Sequence, residues 1–195
     1  MPIGPAAAAD CERILQSWWG QPVNTVTAAA FIAAGALVWL HRRDAATAVL
    51  VASIGVGSIA FHGPMPFWGE FVHDVSIVLT LVWVLLVETK RTRLWPLGFA
   101  LAAATSITPT VADPVQAVLA VGVLAAVSLP KEQRSHRLQS IAILALGGVV
   151  GTLSRTGGPL CDPDSLWQGH GFWHLAAASS LAIWGLAIRP SISTQ

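Results

Sequence analysis

Seven apolar segments divide the chain and constrain its fold more than any other feature. They predict helices near 23–40, 45–62, 72–89, 94–108, 114–129, 138–154 and 170–188. The apolar run in each is roughly 15 to 19 residues, slightly below the ~20 that cross a bilayer core, so flanking residues complete the span. Only helices or closed barrels cross lipid, and these runs lack the alternation of barrel strands. The sequence therefore predicts an all-α integral membrane bundle of seven transmembrane helices. It forms one domain over 1–195, with an extramembrane N-terminal segment over 1–22.

The composition also favours a protein that lies in a membrane. Hydrophobic residues make up 54% of the chain and charged residues only 11%. Many of the nine tryptophans lie near the ends of apolar runs, where the aromatic belt of a membrane protein places them. The net charge of +1 and the lack of a basic stripe with interleaved aromatics argue against a nucleic-acid partner. The first ten residues have no basic stretch, so we expect no cleavable signal peptide.

The basic residues predict the orientation of the bundle. Nine of the eleven lysines and arginines lie in alternate loops or at the C-terminal end: Arg42, Arg43, Lys90, Arg91, Arg93, Lys131, Arg134, Arg137 and Arg189. The N-terminal segment and the other loops contain only Arg13 and Arg155. The positive-inside rule therefore predicts an external N-terminus and a cytoplasmic C-terminus.

Reactive side chains are concentrated at the predicted outer ends of three helices. Ser58 and His62 lie near the outer end of helix 2, and Asp74 lies in the first turn of helix 3. His170 and His174 lie at the start of helix 7. Ionisable residues are costly to insert into a membrane and commonly mark function. The shared depth of these residues predicts one site.

The spacing of the histidines indicates a metal. His170 and His174 are four residues apart, so they share one helix face and can point at one ion. With His62 they make three neutral imidazoles, the ligand set of a catalytic zinc with an open fourth position. Such an ion lowers the pKa of a bound water to about 7. Asp74 is then the candidate acid–base group, and Ser58 is the candidate donor to the oxyanion.

Simpler explanations exist for each of these residues. The two histidines of helix 7 can be a structural coincidence. Ser58 can bond back to its own helix, and Asp74 can cap helix 3, where the helix dipole favours a carboxylate. Three imidazoles also suit copper, iron or nickel. His41 and His136 lie in the basic inner loops, and we interpret both as solvated.

Several segments together carry a family resemblance. They are Gly57-Ser-Ile-Ala-Phe-His62, Asp74 at the start of helix 3, and Gln168-Gly-His-Gly-Phe-Trp-His-Leu175. Asp10-Cys11-Glu12, followed by Pro22-Val-Asn-Thr25, is a fourth. These motifs resemble those of alkaline ceramidases, in the superfamily that includes adiponectin-receptor-like proteins. The resemblance runs through all seven helices, although helices 4 to 6 match only as apolar segments.

The resemblance implies specific roles and a reaction. It implies that His62, His170 and His174 are zinc ligands and that Ser58 and Asp74 are catalytic. It also implies hydrolysis of a long-chain lipid amide such as ceramide. By resemblance to bacterial members, we expect a multi-pass protein of the inner or plasma membrane with its active site towards the extracytoplasmic side.

A calcium site is a further implication of the resemblance. It would use Asp10, Glu12 and Asn24, but Gln21 stands where another acid is expected. The sequence therefore argues only weakly for calcium.

The two cysteines, Cys11 and Cys161, both fall on the predicted outer side. An oxidising compartment permits a disulfide between them, and the ceramidase resemblance points to the same bridge. Two independent thiols are the alternative.

Other polar residues near the helix ends are given mainly structural or surface roles. His73 is either a surface residue of the loop, which we favour, or a supporting partner of the site. Glu70 is interpreted as an exposed carboxylate at the start of helix 3. Glu88 lies near Lys90 and Arg91 at the inner interface, where we expect it to be paired or solvated.

The leading functional hypothesis is a zinc-dependent intramembrane hydrolase that acts on a ceramide-like lipid. The alternative is a non-enzymatic seven-helix receptor or scaffold with a structural zinc site. A proton or metal transporter is a weaker third hypothesis, because no ionisable relay continues inward from the outer residues.

Overall fold

A computed structural model describes residues 7–127, 130 and 132–188. In this part of the chain seven α-helices and two short 3-10 helices form, and there is no strand. The α-helices are α1 Pro22–Arg42, α2 Ala45–His62, α3 Gly69–Glu88, α4 Trp95–Ser106, α5 Pro109–Ala126, α6 Arg134–Leu153 and α7 Gly169–Ala187. The predictions of an all-α fold and of seven helices are confirmed.

Four of the described helices, α1, α2, α3 and α6, are long and apolar enough to cross a membrane. They have 18 to 21 residues each. By contrast, α4 has 12 residues, a length of about 18 Å against a bilayer core of about 30 Å. The helices therefore suggest a multi-pass membrane protein, although α4 is too short to be one of seven equal spans.

The predicted helix ends agree with the structure to within two residues except at the starts of α3, α5 and α6 and at the end of α5, and α3 begins at Gly69 rather than 72. α5 begins at Pro109 rather than 114, because a proline is well tolerated in a first turn, and Pro114 is accommodated inside the helix. α6 begins at Arg134 rather than 138, so basic residues assigned to a loop form its first turn. The predicted end of helix 5 at 129, Lys131, Arg189 and the first six residues of the N-terminal segment lie outside the described residues.

The helices pack in an order that differs from their order in the chain. α1 packs on α2 and α7, α2 packs on α3, α3 packs on α4 and α5, and α6 packs on α7. Glycines permit two of these contacts, because a Cβ on Gly35 would clash with α2 and a Cβ on Gly147 would clash with α7. α5 and α6 are not among the closely packed pairs.

The two ends of the bundle differ in chemistry. The first, here called the histidine end, consists of the N-terminal segment, the end of α2 and the starts of α3 and α7. The second, here called the basic end, consists of the ends of α1 and α3 and the start of α6. The three histidines lie together at the histidine end, as the sequence predicted.

A buried ion pair lies at the basic end. Nη1 of Arg137, on α6, donates to both carboxylate oxygens of Glu88 at 2.6 and 2.7 Å, and Nε1 of Trp184 donates to the same carboxylate at 2.8 Å. The side chains of Arg137 and Glu88 are only 7% and 2% exposed. Lys90 and Arg91 are exposed instead. Glu88 is therefore paired, as one of the two expectations had it, and its described partners come from helices distant in sequence.

The N-terminal segment is fixed to the connection between α6 and α7. Cys11 and Cys161 form the predicted disulfide. Nη2 of Arg13 lies 2.6 Å from Oδ2 of Asp164, and the backbone N–H of Cys11 donates to Oγ1 of Thr156 at 3.1 Å. This attachment keeps residues 7–21 over the histidine end.

Candidate metal centre

Three histidines meet at the histidine end. His62 is the last residue of α2, and His170 and His174 occupy the first two turns of α7. Ring nitrogens of the three lie within 4.8 Å of one another. His62 and His174 are 0% and 2% exposed. The predicted ligand set is thus brought together as a group that could hold a metal ion.

The Nδ1 atom of each ring has an oxygen partner from residues 10–27, a stretch that contributes none of the three histidines. The pairs are His62 with Oε1 of Gln21 at 2.6 Å, His170 with Oδ1 of Asp10 at 3.2 Å, and His174 with the backbone oxygen of Asn24 at 3.1 Å. The hydroxyl of Thr27 also lies 3.1 Å from Nδ1 of His174. Metal-binding histidines are commonly held in this way by a second layer of hydrogen bonds.

These partners determine which nitrogen is available to a metal. An amide oxygen and a backbone carbonyl only accept hydrogen bonds, so Nδ1 of His62 and of His174 carries the proton. The Nε2 atoms of all three rings are buried and have no hydrogen-bond partner among the described residues. Buried polar atoms are normally satisfied, so three such atoms close together fit a cation. His62, His170 and His174 would hold the ion, since one ring nitrogen of each lies within 4.8 Å of the others.

Gln21 is the residue that the sequence analysis missed. Its side chain is fully buried, and Nε2 donates to the backbone oxygens of Ala7 and Glu12 at 2.8 and 3.0 Å. Its backbone N–H donates to the backbone oxygen of His62 at 2.7 Å. One residue therefore holds both the ring and the backbone of His62. The available signal was an amide directly before helix 1, which the sequence analysis treated only as a missing acid.

We expect Gln21→Leu to weaken zinc binding about 10- to 100-fold, the usual effect of losing a second-layer partner. The matched variant Gln21→Glu keeps an acceptor for His62 and loses the donors to Ala7 and Glu12. It is expected to keep zinc affinity near the wild-type value. Competition with a chromophoric chelator measures both. Equal affinity in Gln21→Leu and the wild type would show that this hydrogen bond does not support the ligand.

The acids that were candidate calcium ligands have other partners. Both carboxylate oxygens of Glu12 accept backbone N–H groups at the start of α1, from Val23 at 2.7 Å and Asn24 at 2.8 Å. Burial raises the pKa of Glu12, and these hydrogen bonds oppose the rise. Burial also raises the pKa of Asp10 to about 6, against the attraction of Arg155. The side-chain amide of Asn24 is buried without a partner among the described residues. A calcium site at Asp10, Glu12 and Asn24 stays a prediction.

Ser58 and Asp74 are both buried near the histidines. Ser58 is 1% exposed and lies one turn before His62 on α2. Asp74 is 5% exposed and lies in the second turn of α3, too far into the helix to cap it. Their catalytic roles stay predictions.

His73 lies inside the site rather than on the surface. It belongs to α3, its side chain is 16% exposed, and Nδ1 lies 3.0 Å from Oδ1 of Asp74. Its ring stacks on Phe61 at 4.8 Å between centroids and lies 6.1 Å from the ring of His62. The favoured interpretation as a surface residue was wrong, because the ring packs against Phe61 and Asp74 instead of facing solvent. Glu70 is in the first turn, as expected, but is half-buried.

The arrangement could hold a metal ion through three imidazoles. The identity of the ion is not decided by these ligands, since imidazole suits several transition metals. No protein-family profile matches the chain, and no curated protein or solved structure is detectably similar to it.

Proposed function

We propose that the protein is a zinc-dependent membrane hydrolase that cleaves the amide bond of a long-chain, ceramide-like lipid. The observation that carries the proposal is the set of three buried Nε2 atoms, each on a ring whose Nδ1 is already held. Two further features support it: the nearby buried carboxylate of Asp74 and the membrane length of four helices. On the charge pattern of the loops, the histidine end faces the extracytoplasmic side.

The chain's own residues have distinct tasks in this reaction. His62, His170 and His174 would hold zinc, which supplies an activated water and polarises the amide carbonyl when bound. Asp74 accepts a proton from the water that attacks the carbonyl and returns it to the leaving nitrogen. The hydroxyl of Ser58 donates a hydrogen bond to the carbonyl oxygen as negative charge develops there.

A lipid substrate needs access from the bilayer. α5 and α6 are consecutive in the chain but are not among its closely packed helix pairs, and we propose that the acyl chain would enter between them. The scissile amide, at the junction of the acyl chain and the head group, would then lie at the level of the histidines.

The test combines metal content with lipid hydrolysis on the purified protein in detergent. We expect one zinc per chain and release of fatty acid from a long-chain ceramide, with loss of release after chelation. Asp74→Asn is expected to lower kcat about 10²- to 10⁴-fold, the range of general acid–base catalysis, with zinc retained because Asp74 is not a ligand. Asp113→Asn, an exposed carboxylate on α5, is the matched control and is expected to keep full activity.

A zinc-loaded protein that releases nothing from amide, ester or phosphoester lipids would contradict the proposal. The receptor or scaffold alternative would then be favoured, with zinc as a structural ion. Full activity in Asp74→Asn would contradict the catalytic role of Asp74 but not the hydrolase proposal.

A further inference from the structure

Two donors from different helices converge on one oxygen of Asp74. Nδ1 of His73 lies 3.0 Å from Oδ1 of Asp74, and Nε2 of Gln116 donates to the same oxygen at 3.2 Å. A carboxylate oxygen only accepts hydrogen bonds, so the two partners act as a pair of donors. Gln116 lies on α5, a helix that the sequence analysis treated only as an apolar segment.

This convergence restricts how Asp74 can act. Two hydrogen bonds to Oδ1 hold the carboxylate in one orientation and leave Oδ2 to accept a proton. The support for Gln116 is rigid, because α3 and α5 share an apolar cluster. That cluster contains Val78 and Val82 of α3, and Val115 and Leu119 of α5 pack against it. The amide is thus fixed relative to α3.

We propose that Gln116 is a positioning residue for the carboxylate of Asp74, and that α5 thereby forms part of the active site. The inference rests on the proposed hydrolase function. It extends that function by making α5 part of the active site, although none of the proposed metal ligands or catalytic residues lies on α5. Gln116 acts through Asp74 and does not itself contact the reacting atoms.

The first experiment is a double-mutant cycle on ceramide hydrolysis. Gln116→Leu is expected to lower kcat roughly 10- to 100-fold, the effect of a misplaced catalytic group, with KM and zinc content unchanged. In the Asp74→Asn background the same change is expected to cost nothing further, since interacting residues are not additive. Asp113→Asn, three residues earlier on α5, is the control. Full additivity of the two changes would overturn the proposal and show that Gln116 acts on stability alone.

The second experiment does not need turnover. In protein labelled with ¹⁵N-glutamine, the side-chain amide signal of Gln116 is identified by its loss in Gln116→Leu. We expect this signal to shift strongly in Asp74→Ala and much less in Asp113→Asn, whose side chain is not its hydrogen-bond partner. An unmoved signal in Asp74→Ala would refute the contact, whether or not the wild type hydrolyses lipid. A shifted signal with an inactive wild type would instead leave the contact standing and reject the hydrolase.

Discussion

The His62→Leu variant is expected to lose its zinc on dialysis, whereas the wild type retains it. The loss of affinity should be far greater than the about 10- to 100-fold expected when a supporting hydrogen bond is removed. The reason is that one of three ligands disappears from a buried site, and the two imidazoles of α7 remain without the third. Elemental analysis of the dialysed protein measures this directly.

Thermal unfolding gives an independent measurement of the same change. Zinc at a thousand times its Kd stabilises the wild type by about 4 kcal/mol, and the variant should gain almost nothing. His136→Leu, an exposed histidine at the basic end, is the matched control and should retain zinc. Retention of stoichiometric zinc by His62→Leu would show that the ion binds elsewhere.

The Arg137→Leu variant is expected to destabilise the fold by about 3 to 5 kcal/mol, the usual cost of removing one partner from a buried ion pair. The change leaves the carboxylate of Glu88, which is 2% exposed, without its guanidinium. It also removes an ion pair that joins α3 to α6. The double variant Glu88→Gln/Arg137→Leu should recover part of the loss, because a neutral side chain is cheaper to bury than a carboxylate.

Denaturation in detergent measures these free energies of unfolding. Arg91→Leu, an exposed arginine near the same helix end, is the control and should change stability by less than about 0.5 kcal/mol. Zinc affinity should not change in any of these variants, because Glu88 and Asp74 lie 14 residues apart on α3, or about 21 Å. A loss below about 1 kcal/mol in Arg137→Leu would indicate that the pair is hydrated rather than buried.

Much of the candidate site could be predicted because its signals are local in the chain. Two histidines four residues apart share a helix face whatever the helix packs against. The apolar runs mark helices, and the charged loops order the helix ends, so His62 could be assigned to the same level as His170 and His174. Where the outcome depended on packing, the prediction failed: His73 was expected at the surface, but its ring packs on Phe61 of α2 and beside Asp74.

The supporting residues could not be predicted from spacing. Gln21 contacts His62 across 41 residues of sequence, and Gln116 contacts Asp74 across 42. Arg137 pairs with Glu88 across 49. A polar side chain in a mostly apolar helix shows that a partner must exist, because burial without one is costly. It does not show which partner, since that depends on how distant helices pack.

The sequence alone therefore determined the helices, the end of the bundle at which reactive groups gather, and the three histidines that could bind a metal. These follow from hydrophobicity, charge and helical periodicity, which act over a few residues. Only the tertiary structure decided which atoms hold each imidazole, which helix carries the partner of Glu88, and that α5 reaches Asp74. Each of these depends on a hydrogen bond of about 3 Å between segments far apart in the chain, and such a distance exists only once the helices have packed.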